Sequence, residues 1–107
     1  MPDFKDREKG FENKFAHDQE MQFRITARRN RLLGEWAAGL MGLTPEETDA
    51  YAKAVVQADF EEVGDEDVIR KVLGDLSSAD VDVDDDKIRA MLDEKTIEAR
   101  RQLIESK

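Results

Sequence analysis

The tetrapeptide Thr44-Pro45-Glu46-Glu47 constrains this chain more than any other feature. A hydroxyl residue, a proline and, at the third helical position, a glutamate make a capping box, which starts a helix at residue 45. Just before it, Gly42 ends an earlier helix. Over residues 19–41, Ile25, Leu32, Trp36 and Leu40 recur at near-3.6 spacing, with Leu33 and Ala37 widening the face. The second helix is expected to run to about Glu62, burying Tyr51, Ala52, Val55, Val56 and Phe60, and Gly64 stops it. Asp65 is placed to cap a third helix with Val68, Ile69, Val72, Leu73 and Leu76 inward, and acidic residues in its first turn suit the helix dipole. SSADVDVDDD reads as a loop. A last helix begins near Asp85 and carries Ile88, Met91, Leu92, Ala99, Leu103 and Ile104. Four amphipathic helices on short links predict an all-α antiparallel four-helix bundle over residues 19–107.

Residues 1–18 do not fit that body. Phe4, Phe11 and Phe15 stand among charges, and at about 100° per residue they fall within roughly 40° of one another, one narrow stripe on which Glu8 intrudes. Each buried phenylalanine returns roughly 2–3 kcal/mol. Each of eighteen ordered backbones costs about 1–2 kcal/mol. The segment is therefore expected to be flexible when free and helical against a partner groove. The competing reading folds it back on the body as an extra helix.

Charge divides the chain further. Residues 1–43 hold 8 basic and 7 acidic side chains, net +1, while residues 44–107 hold 9 and 19, net −10, so the acidity of the chain lies in the second part. Such a chain lacks the basic footprint of nucleic-acid binding. It has no cysteine, hence no disulfide framework. Its charged start is no secretory signal, and the apolar stretch at residues 36–43 is far short of a membrane span. A soluble, cytoplasmic protein without membrane insertion is the expectation.

No catalytic constellation emerges, and no enzyme or cofactor is read from the chain. Asp80, Asp82 and Asp84 match the first ligands of an EF-hand, but Asp85 stands where glycine is needed and Met91 where glutamate is needed, so a solvated loop explains the run and no metal site is assigned. His17, the single histidine, has no companion ligand. Trp36 reads as core. In RITARRNR, Arg24, Arg28 and Arg31 share one face with Arg29 beside it. That stripe suits the acidic half of the chain itself, a partner surface, or a nucleotide phosphate, although no glycine-rich phosphate loop accompanies it.

FENKFAHDQEMQFRITARRNRLLGEWAA and AYAKAVVQADFEEVGDEDVIRKV resemble the zeta-type inhibitor subunits of alphaproteobacterial F-type ATP synthases. The likeness is most specific at FAHD (residues 15–18), ARRN with LLG (27–34) and ADFEE with GDEDV (58–68). It implies a four-helix body behind an inhibitory segment, residues 1–18, that enters the enzyme head between catalytic and non-catalytic subunits near the central stalk and blocks ATP hydrolysis. The resemblance implies the alpha, beta and gamma subunits as partners and a location peripheral to the membrane-bound enzyme; within residues 1–18, Phe4, Phe11 and Phe15 are then expected to pack into the cleft and Arg7, Lys9 and Lys14 to pair with its carboxylates. Weak ATP or ADP binding at Arg24, Arg28, Arg29 and Arg31 is a further expectation. The alternatives are a nucleotide-sensing helical module and an acidic adaptor acting through Glu61, Glu62 and Asp65.

Overall fold

The computed structural model describes the backbone of residues 2–59 and 65–105 and the side chains of residues 19–59 and 65–104. Four helices follow one another: α1 Pro2–Met41, α2 Pro45–Ala58, α3 Glu66–Ser78 and α4 Asp85–Glu105.

The helix ends explain themselves residue by residue. Gly42 adopts φ 72°. This left-handed turn lets the Leu43 N–H bond Ala38 O at 3.1 Å and the Gly42 N–H bond Gly39 O at 3.2 Å, capping the last carbonyls of α1. The expected capping box is formed: the Glu47 N–H donates to Thr44 Oγ1 at 3.1 Å and the Thr44 N–H to Glu47 Oε1 at 2.8 Å. These bonds hold the Glu47 carboxyl below its ordinary range, chiefly through the Thr44 backbone N–H. α3 closes as α1 does, with the Val81 N–H on Leu76 O and the Asp80 N–H on Ser77 O, but the left-handed position is filled by Asp80 at φ 62°. Asp84 then accepts from the Lys87 N–H at 2.8 Å and caps α4. The aspartate-rich loop thus spends two of its carboxylate residues on ending one helix and starting the next.

Contacts across the helices give an up-down-up-down bundle. Gly34 meets Ala52, and further along α2 Val56 lies beside Ala27 and Arg28, earlier in α1, so α1 and α2 are antiparallel. Tyr51 meets Asp75, which sets α3 against α2, and Arg28 meets Gln102, which returns α4 along α1. The shared core is Leu33 and Ala37 of α1, Val55 of α2, four residues of α3 from Val68 to Leu76, and Ile88, Met91 and Leu92 of α4.

Several sequence expectations need correction. α1 begins at Pro2, not near residue 19: apart from Gly10 the early residues are compatible with a helix, and Pro2 suits its first turn. α2 ends at Ala58 with Asp59 as its C-cap, short of Glu62. Phe60, Glu61, Glu62 and Gly64 lie outside the described residues. Leu40 and Ile104, expected in the core, are exposed: in the last turn of α1 it is Met41, about 100° round the helix, that packs against the core, and Ile104 stands in the last turn of α4. Trp36 and Leu73 are half-buried and pack against the core from its edge.

Candidate functional site

Length sets α1 apart from the other helices. At about 1.5 Å per residue, the 40 residues of α1 span about 60 Å, against about 32 Å for the 21 residues of α4. The longest dimension of the molecule, 65 Å, is close to that of α1 alone, while the other two are 26 and 21 Å. Ile25 is the earliest buried residue among those whose side chains are described. The body is thus assembled on the second half of α1. Phe4, Arg7, Lys9, Phe11, Lys14, Phe15 and His17 belong to the first half, and their side chains lie outside the described residues.

The arginine stripe separates into two sites. Arg29 turns inward, where its Nε and Nη2 donate to Asn30 Oδ1 at 3.1 and 2.9 Å and Nη2 reaches Asp65 Oδ1 at 2.9 Å. Asp65, expected to cap α3, makes no side-chain cap bond, because its carboxylate is the acceptor for this buried cation. A buried arginine needs such a partner more than a helix end open to water needs a cap. Asn30 is 1% exposed, and its Nδ2 has no acceptor among the described residues. The guanidinium on Oδ1 fixes the amide orientation, since a flipped amide would set donor against donor. Together these residues pin α1 to the start of α3.

Arg24, Arg28 and Arg31 stay on the outer face, along a groove shared with Val56 of α2 and Leu103 of α4. Arg31 is held by Asp49 at 2.7 Å and by Glu35 at 3.6 Å. Its hydrogen bond with Asp49 raises the guanidinium and lowers the carboxyl below its ordinary value. Arg24 pairs with Glu20 at 2.8 Å, one helical turn away. Arg28 Nη1 reaches only Gln102 Oε1, at 3.5 Å. The intramolecular pairing foreseen for the stripe therefore ties down Arg29 and Arg31 through the acidic half of the chain, and leaves Arg28 without a carboxylate partner among the described residues.

Two further contacts lay beyond sequence reasoning. Gly34 lies so close to α2 that a Cβ there would stand 2.8 Å from the Cα of Ala52; a glycine inside an otherwise regular helix was the available signal. Tyr51 donates to Asp75 Oδ2 at 2.8 Å while Lys71 lies over its ring at 5.3 Å and also pairs with Asp75. Burial and that hydrogen bond push the Tyr51 hydroxyl well above its ordinary pKa.

An all-helical body, with no candidate metal cluster among its described residues, is mounted on a helix about twice the length that body uses, and this geometry alone defines no more than an all-α class. Known proteins narrow the class. The family model for ATPase inhibitor subunit zeta matches residues 1–102, so the chain belongs to that family of ATPase inhibitor subunits. A chain solved by solution NMR is similar to it at 45% identity and a TM-score of 0.73, with 81% of this chain and 99% of that one covered. No curated protein matches. Membership implies association with ATP synthase, and none of the described helices is long and apolar enough to cross a membrane.

Proposed function

We propose that the chain blocks ATP hydrolysis by F-type ATP synthase by inserting residues 1–18, as a helix, between a catalytic and a non-catalytic subunit beside the rotating stalk. The observation that carries this reading is the length of α1, on a chain whose family match reaches back to residue 1. A bare helix is about 10–12 Å across, whereas the bundle measures 26 by 21 Å in its shorter dimensions. A cleft that admits the first therefore stops the second.

By itself the helix of this segment is only marginally stable, since three phenylalanines do not offset the ordering of eighteen residues. On the enzyme, Phe4, Phe11 and Phe15 bury their stripe in the cleft, and Arg7, Lys9 and Lys14 pair with carboxylates on its walls. The wedge favours the one conformation of the head that holds it. Rotation must leave that conformation, so the barrier to turnover rises by the differential binding energy. No bond chemistry changes.

Deletion of residues 1–18 tests this. The shortened chain should keep its far-ultraviolet dichroism per helical residue and its melting temperature, because every buried core residue among those described lies at or beyond Ile25. It should no longer inhibit hydrolysis by the isolated enzyme head. Undiminished inhibition by the shortened chain refutes the insertion mechanism.

A further inference from the structure

The groove that gathers Arg24, Arg28 and Arg31 has a built character of its own. It has a volume of about 410 Å³ and lies between α1, α2 and α4 with Phe23, Val56 and Leu103 as its apolar surface. Phe23 leaves 58% of its surface open. The rim is cationic on a chain of net charge −9. One of its cations, Arg28, has among the described residues no carboxylate partner and only an amide oxygen at 3.5 Å. Phe23 also follows residue 18 on the same helix by less than one and a half turns, so a protein that receives residues 1–18 is brought against this groove.

We propose that the groove is a second docking site, which takes an acidic, apolar-faced helix of the same enzyme head that receives residues 1–18. The proposal rests on the inhibitory reading above. Carboxylates one turn apart on that helix meet Arg28 and Arg24, and its apolar side chains cover Phe23, Val56 and Leu103. The two sites divide the work: the inserted segment stops rotation, and the groove governs capture and hold. Rim charges act mainly on encounter rate and salt dependence. Losing the groove therefore changes how much inhibitor is needed, leaving the extent of inhibition at saturation intact. An uncharged groove, or one whose three arginines were all paired within the chain, would give no reason to expect an acidic partner.

The full-length Arg28→Glu and Phe23→Ser variants test it by titration against the hydrolysing enzyme head. For each, the half-inhibitory concentration should rise about tenfold at low salt, about 1.4 kcal/mol. The Arg28→Glu deficit should shrink as salt is added, and maximal inhibition and melting temperature should stay unchanged. Arg28→Lys should stay within about twofold of the parent. Titration curves for Arg28→Glu and Phe23→Ser that superimpose on the parent curve overturn the proposal. A full-length Phe4→Ala, Phe11→Ala, Phe15→Ala variant separates the two readings. It should bind the head weakly without inhibiting, and adding Arg28→Glu should remove that binding. If the triple variant inhibits fully while Arg28→Glu alone weakens binding, insertion fails and the groove stands. Three other occupants would each overturn it: the chain's own first segment, seen as Arg28→Glu shifting amide signals of residues 4–15 in the isolated protein; a second copy, seen as a dimer that the variant dissociates; and a nucleotide, seen as ATP competing with the head for Arg28.

Discussion

The two halves of α1 share one helical backbone and differ in what supports them. From Ile25 to Ala38 the helix is built into the body: Leu33 and Ala37 are fully buried, Gly34 lets α2 approach to contact distance, and Arg29 is pinned to the start of α3. Residues 2–18 continue the same helix past the length its neighbours can match. The second half is held by tertiary packing, whereas local propensity over the first eighteen residues, with a glycine in the middle, is weak. In the proposed mechanism this division keeps a folded anchor while the first half of α1 engages a second protein.

The contrast predicts that mutations in the two halves have opposite signatures. Replacing Phe4, Phe11 and Phe15 together by alanine should weaken inhibition of ATP hydrolysis by at least about a hundredfold, since anchors of this kind carry 2 kcal/mol or more each. The melting temperature should move by no more than about 2 °C, well inside the shift of about 4–8 °C that 1 kcal/mol produces in a domain of this size. Leu33→Ala reverses the pattern: a fully buried leucine in the bundle costs about 2–5 kcal/mol, read by urea unfolding. Inhibition per folded molecule should be unchanged.

Gly34→Ala sets two effects against each other. Alanine gains about 1 kcal/mol of helix propensity, but its Cβ meets the Ala52 backbone at 2.8 Å, and overpacking costs about 1–3 kcal/mol. A backbone atom cannot swing aside as a side chain can, so net destabilisation of up to about 2 kcal/mol is expected by the same measurement.

Tyr51→Phe should cost about 1 kcal/mol at neutral pH, because Asp75 keeps Lys71 as a partner when the hydroxyl is removed. Its pH dependence is more specific. The native protein holds the Tyr51 hydroxyl protonated above its ordinary pKa, whereas the unfolded chain ionises it near pH ~10. This stabilisation is complete below that pH and is lost as pH rises through the native value. In the parent, stability should fall with pH above ~10, and Tyr51→Phe should remove that share of the slope. Tyr51 is the single tyrosine, so its tyrosinate absorbance reports the site directly.

Much of the body was legible in the sequence because local and tertiary signals agree there. The capping box, Gly42 and the start of α4 at Asp85 stand where turn chemistry puts them, and Val68, Val72, Leu76 and Ile88 are buried as their spacing demands. Errors arose where a residue had two uses. Asp65 is a good cap by type, but a buried guanidinium competes for it from α1, and sequence spacing carries no trace of that contact. Leu40 matches the apolar period of α1, but Met41 turns to the core in its place, and Ile104 stands in the last turn of α4. The groove was only half legible: three of its arginines announce themselves as a stripe, while Phe23, Val56 and Leu103 come together only when three helices meet. The start of α1 was missed because periodicity reports a buried face, and the early residues show little of one beyond three phenylalanines.

Amide hydrogen exchange on the full-length chain, alone and bound to the hydrolysing enzyme head, bears most directly on the division of labour within α1. In the isolated protein, amides of residues 4–15 should exchange close to the rate of an unstructured peptide while Leu33 and Val55 exchange only through unfolding of the bundle. On the enzyme, residues 4–15 should become protected. Strong protection of that stretch in the isolated protein, or none in the complex, would contradict the account.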